Sequence, residues 1–253
     1  MKETIKIPAN FKPEENCLKD KVILITGTGD GIGKEAAKTF ARYGATVILL
    51  SKTEKKIVDL YDEIVNAGYP QPAIITLNLE NATADQYLEL AHTIENEFGH
   101  LDGLLHNAAM FEGLSPIAQF DNELWDRITR VNLHAPFLLT QAMIPVLNKS
   151  ESASLIFTSS GVAHQGRAYW GAYGVTKAAC DNLMGILADE LETNTPIRVN
   201  SIDPGRVRTR MRALAFPGEN PMDNPAPEEI MDSYVYLMSD GSKEVNGKII
   251  SCK

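Results

Sequence analysis

Short, continuous apolar runs alternate with helix-period segments along most of this chain, and that alternation restricts the fold more than any other feature. The runs occupy 21–26 (KVILIT), 46–51 (TVILLS), 73–78 (AIITLN), 102–107 (DGLLHN), 154–159 (SLIFTS), 197–202 (IRVNSI) and 247–251 (GKIIS). They do not alternate in polarity, as expected of strands covered on both faces. Between them, Ile57, Leu60, Tyr61 and Ile64 share one helical face, and Gly68 follows as a stop. Thr83 and Gln86 form a capping-box pattern ahead of the stripe Tyr87, Leu90, Ala91, Ile94 and Phe98. The spacing also predicts a long helix over 121–147 starting at Asp121, another over about 171–193, and a short one over 228–239. Seven strands separated by helices predict a parallel α/β sheet with helices on both faces, doubly wound by right-handed crossovers.

With 253 residues and no dividing linker, a single domain over 1–253 is expected, with 1–19 as an N-terminal extension. The Gly/Pro-rich stretch 216–227 (FPGENPMDNPAP) reads as a mobile loop. Hydrophobic residues at 44% and charged residues at 23% exclude a disordered chain. A net charge of −9 disfavours nucleic acid and anionic lipid as partners, since the mean field repels phosphate. Cys17, Cys180 and Cys252 are odd in number and widely spaced, fitting neither a disulfide framework nor a metal site. The first twenty residues hold no signal-like apolar run, and no apolar stretch is long enough for a membrane span. The expectation is a soluble cytoplasmic protein without metal.

Directly after the first run comes Thr26-Gly27-Thr28-Gly29-Asp30-Gly31-Ile32-Gly33, where a helix opens. Glycines at 27, 31 and 33 let the chain turn tightly and bring backbone N–H groups to a pyrophosphate at the helix N-terminus. A ligand-free glycine turn is the bland alternative, disfavoured by the loop's place after the first strand of such a sheet. An NAD-selective site carries a carboxylate at the end of the second strand. Here that position reads Leu50-Ser51-Lys52-Thr53, with no carboxylate, and Lys52 is either a partner for a 2′-phosphate or a solvated helix-start lysine.

Tyr173 and Lys177 stand four apart, hence on one helical face. A nearby ammonium favours the phenolate, so the spacing predicts a lowered tyrosine pKa suited to acid–base work. Ser160 ends a strand thirteen residues earlier, and Asn132 falls inside the predicted long helix, where asparagine is a poor choice. Taken singly, Ser160 reads as a strand-end turn and Asn132 as an irregularity bonded to backbone.

Taken together, these residues make the chain resemble the short-chain dehydrogenase/reductase family in its compact branch of about 250 residues. The matching features are the loop at 26–33, Asn107-Ala108-Ala109, Asn132, Ser160, Tyr173/Lys177, Pro204-Gly205, Val207 and Thr209, spread over about residues 18–250. Within the family the chain looks most like bacterial oxoacyl-carrier-protein-reductase-like oxidoreductases, around 158–160, 166–168 and 211–213. The resemblance implies a doubly wound Rossmann fold and four catalytic residues. Tyr173 would protonate the carbonyl oxygen and Ser160 would hold it. Lys177 would bind the ribose and depress the tyrosine pKa, while Asn132 would anchor a relay water. It implies cofactor contacts from Gly27, Thr28, Gly29, Asp30, Gly31, Ile32 and Gly33 in the loop, and from Ser51, Lys52, Asn78, Leu79, Asn107 and Ala108 at the following strand ends. Tyr173, Lys177, Pro204, Gly205, Val207 and Thr209 complete the set, Thr209 on the nicotinamide carboxamide. Asn78 replaces a common aspartate, Ala109 a glycine, and Asp30 stands where phosphate-selective members carry a basic residue.

Met110, Phe111, His164, Trp170, Met211 and Phe216 follow strand ends and are expected to face the substrate, unless they merely pack the loops. Mostly apolar, they point to a hydrophobic carbonyl compound. Arg206, Arg208, Arg210 and Arg212 lie in the expected substrate loop at 206–228, as a recognition site for carboxylate or phosphate or as a solvated run balancing nearby acids. The sequence thus predicts an oxidoreductase moving a hydride between NADP(H), in preference to NAD(H), and a carbonyl or alcohol. A non-catalytic dinucleotide-binding regulator is the alternative. A homodimer or homotetramer is expected from the family's helix pairing, with Leu183, Ile186 and Leu187 as either a face buried in the assembly or part of the core.

Overall fold

The computed structural model describes residues 3–252, so the outermost ends of the expected 1–19 extension and 1–253 domain lie outside the described residues. Eight parallel strands form one sheet: β1 (Thr4–Ile5), β2 (Val22–Thr26), β3 (Thr46–Ser51), β4 (Ala73–Thr76), β5 (Gly103–His106), β6 (Ala153–Thr158), β7 (Ile197–Asp203) and β8 (Ile249–Ser251), in the order β1-β8-β7-β6-β5-β2-β3-β4. The α/β, doubly wound class is as expected, but the count of seven is corrected to eight. The added strand is β1, whose two residues pair with Ile249 and Ile250. It covers β8 on one side only and has no apolar run of its own, so no strand pattern marks it.

The nine α-helices are α1 (Gly31–Arg42), α2 (Glu54–Asn66), α3 (Ala84–Phe98), α4 (Asn122–Thr129), α5 (Ala135–Leu147), α6 (Gly161–His164), α7 (Gly171–Leu191), α8 (Arg210–Ala215) and α9 (Met231–Met238), counted among the described residues. Strand residues alternate between two cores, which explains the unbroken apolar runs. Leu24, Leu104, Leu155 and Val199 pack against α3, α5 and α7. Their neighbours Ile23, Ile25, Leu105 and Ile156 pack against α1, α2 and α9 on the opposite face. The capping box at α3 forms as read, with Thr83 Oγ1 accepting from Gln86 N at 3.4 Å and Gln86 Oε1 accepting from Thr83 N at 3.0 Å.

The long helix expected over 121–147 is broken. Between α4 and α5, residues Arg130–His134 form one π-helical turn with Asn132 inside it. The cause is local. Pro136, at the start of α5, has no N–H to give the carbonyl of Asn132 four residues earlier. That carbonyl instead accepts from Cys180 Sγ at 3.0 Å.

Strand order reverses at β2, which has β3 on one side and β5 on the other. In an open α/β sheet the crevice at the carboxyl ends of such a pair is where ligands bind.

Candidate active site

The glycine loop leaves β2 at this crevice. Gly27 has φ +74°, and a Cβ there would lie 2.7 Å from Ala108 Cα, so only glycine lets the loop lie against the chain leaving β5. Asn107 locks the same junction. Its backbone N–H and that of Ala108 donate to Thr26 Oγ1 at 3.0 and 3.1 Å, and its Nδ2 donates to Thr26 O at 3.3 Å. Asp30 caps α1, its carboxylate accepting from Gly31 N at 2.8 Å and lying 3.5 Å from Lys56 Nζ. The residue that stood against a phosphate is therefore partly answered by a lysine.

A cavity of about 810 Å³ runs along these strand ends. It is lined by Gly27, Gly29, Asp30, Gly31 and Ile32, by Ser51, Lys52, Asn78, Leu79, Asn107 and Ala108, and by Pro204, Gly205, Val207 and Thr209. Thr28 and Gly33 do not line it. Thr28 is fully buried with its hydroxyl donating to Leu50 O at 3.4 Å, and Gly33 is buried against Asn107 and the Gly27 carbonyl. Both support the loop from beneath. Lys56 lines the cavity beside Lys52, a residue the sequence reading missed. Its signal, a second basic side chain in the first turn of α2, was lost among the charges at 54–56.

Ser160, Tyr173 and Lys177 meet at the inner end of the cavity. Tyr173 and Lys177 lie one turn apart on α7, each under a tenth exposed. Ser160 stands beside the phenol, and Lys177 Nζ donates to Thr158 O at 2.6 Å. The lowered tyrosine pKa is corrected by this geometry. Burial pushes the Tyr173 phenol up to about 12, Ser160 opposes the shift, and Asp203 adds to it. Lys177 Nζ is turned to the Thr158 carbonyl, 5.8 Å from the ring centroid, and burial lowers its own pKa. Asn132 is buried behind the cavity, its Oδ1 accepting from Met110 N at 2.7 Å and its Nδ2 donating to Met110 O at 3.0 Å. Its side chain pins the cavity wall rather than lining the cavity. Beneath, the His106 imidazole is held neutral, its pKa pushed down to about 3 by burial and then by Lys177.

The apolar side of the cavity is an aromatic wall. Phe111 stacks on Trp170 with ring centroids 5.2 Å apart, and both rings contact Tyr173, at 5.4 and 5.6 Å. Met110 and Met211 line the cavity as expected. His164 and Phe216 do not: His164 Nδ1 turns to the Asp181 carboxylate at 3.5 Å, and Phe216 packs behind Trp170. Asp181 also accepts from Ser159 Oγ at 2.6 Å, tying the residue before Ser160 to α7. Of the four arginines, Arg210 and Arg212 reach the cavity and Arg206 and Arg208 do not. Among the described residues, no group of three or more His, Cys, Asp or Glu could hold a metal ion. No helix among them is long and apolar enough to cross a membrane.

A buried phenol, a hydroxyl and an ammonium therefore stand at one end of a crevice whose other end is a glycine-lined helix start. The family model for short chain dehydrogenases matches residues 21–220. The chain belongs to the short-chain dehydrogenase family. Among the relatives of this short-chain dehydrogenase, the uncharacterized oxidoreductase YciK of Escherichia coli K12 is 44% identical over 238 residues, 94% of each chain. A solved chain from Pseudomonas syringae is 51% identical, with TM-score 0.94 over 96% of this chain and 99% of that one. A chain from Escherichia coli CFT073, solved in complex with NADPH, is 44% identical, with TM-score 0.92 over 95% of this chain and all of that one. The protein is thus an oxidoreductase of the short-chain dehydrogenase family with a nucleotide-binding fold.

Proposed function

We propose that this dehydrogenase uses NADP(H) to reduce an apolar ketone, aldehyde or 3-oxoacyl compound, and catalyses the reverse alcohol oxidation. The observation that carries the reading is the meeting of Tyr173, Ser160 and Lys177 between the glycine-loop crevice and the Phe111/Trp170 wall. The crevice fits a dinucleotide: added Cβ atoms at Gly27 and Gly33 would collide with neighbouring chain, and, Gly31 N apart, which Asp30 caps, the first-turn amides of α1 are left to a pyrophosphate. Bound there, NADPH supplies the hydride. Ser160 holds the carbonyl oxygen by a hydrogen bond while Tyr173 Oη gives it a proton. Lys177, its ammonium 5.8 Å from the Tyr173 ring centroid, offsets part of the cost that burial sets on the tyrosinate left behind. Asn132 positions Met110 and so the wall against which the carbonyl carbon rests. Phe111 and Trp170 exclude water from that carbon and favour an apolar body on the substrate. A panel of carbonyl compounds assayed for NADPH oxidation tests the reading, with a non-catalytic regulator expected to bind NADPH and oxidise none of it.

Preference for NADP(H) follows from Ser51, with no neighbouring carboxylate, and from Lys52 and Lys56 on the same rim. A charge-assisted hydrogen bond contributes roughly 1.5–3 kcal/mol, and lysine, a point charge, falls at the lower end. Lys52→Ala and Lys56→Ala are each expected to weaken NADPH binding by about tenfold or less and leave NADH nearly unchanged. Asp30→Asn should strengthen NADPH further. Dissociation constants for both nucleotides at one salt concentration check this, and equal weakening of both would remove the phosphate assignment.

We further propose a homodimer or homotetramer joined through α5 and α7, which lie on one face of the sheet. Phe137 on α5 and Val175 and Ile186 on α7 are each about half exposed, an apolar group on neighbouring helices. Light scattering at micromolar concentration should return two or four chain masses, and a monomeric mass would refute it.

A further inference from the structure

The arginine run at 206–212 is the sequence feature to which the reductase chemistry assigns no task. The fold separates its members. Arg206 is exposed and away from the cavity, whereas Arg212 lines it on α8. Arg212 is also paired in a way that a solvated charge is not. Its Nε and NH2 donate to the two carboxylate oxygens of Glu219 at 2.5 and 2.6 Å, a two-pronged match. Its guanidinium carbon lies over Phe216, 3.8 Å from the ring centroid. Phe216 packs on Trp170, and Trp170 on Tyr173. Both charged side chains are about one-fifth exposed. Arg212 thus lines the cavity next to the aromatic wall while its Nε/Nη2 edge is turned to Glu219, which does not line it, so its charge is answered from inside the chain.

From this geometry we infer that Glu219 is a built-in carboxylate that occupies the Arg212 fork, so that the site accepts uncharged carbonyl compounds and rejects oxo acids. The inference rests on the reductase reading and names the substrate charge it implies. The Nε/Nη2 edge of a guanidinium satisfies one carboxylate at a time in this two-pronged way. Glu219 is seven residues away on the same chain, and tethering of that kind corresponds to an effective concentration on the order of millimolar. An acid on a substrate must either displace it or take the remaining Nη1 edge beside the Glu219 charge, and in both cases it meets that charge in a chain of net charge −9. Mild acid does not lift the block, because Arg212 holds the Glu219 carboxyl below the usual carboxylate range.

The experiment compares phenylglyoxylate, a 2-oxo acid, with its neutral methyl ester, using NADPH and the full-length protein. Wild type should reduce the ester with a kcat/KM at least tenfold above that of the acid. Glu219→Gln, which keeps size and removes charge, should cut this ratio at least tenfold by lowering the KM of the acid; Glu219→Ala serves if the glutamine variant folds poorly. The gain should vanish in Arg212→Gln/Glu219→Gln, because the fork is then gone. A second arm needs no turnover: tryptophan fluorescence in the NADP+ complex should show benzoate binding at least tenfold tighter in Glu219→Gln than in wild type, with benzamide unchanged. Wild type that handles acid and ester equally, an unchanged ratio in Glu219→Gln, or a gain that survives loss of Arg212 would each overturn the inference. Absence of ester turnover together with the expected benzoate result would count against the reductase reading alone.

Discussion

Tyr173→Phe is expected to lower carbonyl reduction by at least about 10², the usual contribution of a positioned acid. Phenylalanine keeps the ring contacts to Phe111 and Trp170, at 5.4 and 5.6 Å, so the wall stays packed and nucleotide affinity should stay within a few-fold. Only the hydroxyl is lost. The raised pKa of the phenol sets the pH dependence. With a pKa of about 12, Tyr173 is fully protonated at neutral pH, which is the form reduction consumes. Alcohol oxidation needs the tyrosinate, whose fraction rises about tenfold per pH unit below the pKa. Reduction should therefore be level between about pH 6 and 9, and oxidation should climb across the same range. Measured kcat in both directions checks the sign. Turnover of the variant within threefold of wild type, or an oxidation rate independent of pH, would remove Tyr173 from its role.

Gly33→Ala should disable the nucleotide site from beneath. The added methyl would sit inside contact distance of two fixed groups, the Gly27 carbonyl oxygen and Asn107 Nδ2. Neither can yield cheaply, since Asn107 Nδ2 also bonds Thr26 O and the Gly27 carbonyl is backbone in the loop itself. The start of α1 must then lift away from β2 and β5, carrying with it the amides that would face a pyrophosphate. Overpacking of this kind costs about 1–3 kcal/mol. For a chain of this size each kcal/mol lowers the melting temperature by roughly 2–4 °C. NADPH affinity should drop at least tenfold. Gly166→Ala, where an added methyl meets nothing within 4 Å, should leave both quantities near wild type. Parity between the two variants would mean that close packing at Gly33 is irrelevant to the site.

Residues whose placement depends on local spacing were legible before any coordinates. Tyr173 and Lys177 share a face because both lie on one uninterrupted helix, and Ser160 reaches them because β6 ends where its apolar run ends. What depends on long-range placement was not. The Tyr173/Lys177 spacing says that phenol and ammonium are near, but not that the ammonium turns to Thr158 O while burial dominates the phenol. His164 and Phe216 follow strand ends like Phe111 and Trp170, yet Asp181 captures one and Trp170 screens the other. The π-helical turn lay within reach of sequence reasoning, because Pro136 stands four residues after Asn132 and removes the donor its carbonyl needs. Glu219 could not be matched to Arg212 from sequence alone, since nothing local says which of several acids closes a fork.

The short strand β1 has a consequence for the order in which the molecule can be completed. Its ladder joins Thr4 and Ile5 to Ile249 and Ile250, and Ile249 N donates to Glu3 O at 3.0 Å. On a ribosome, residues 3–5 must wait with their amides unpaired until residues 249–251 have emerged, so this seam closes last. Until then β7 is the outermost strand on that flank, a bare template for another nascent chain. Clipping either terminal segment from the finished protein would reopen the same seam, exposing β8 in one case and β7 in the other.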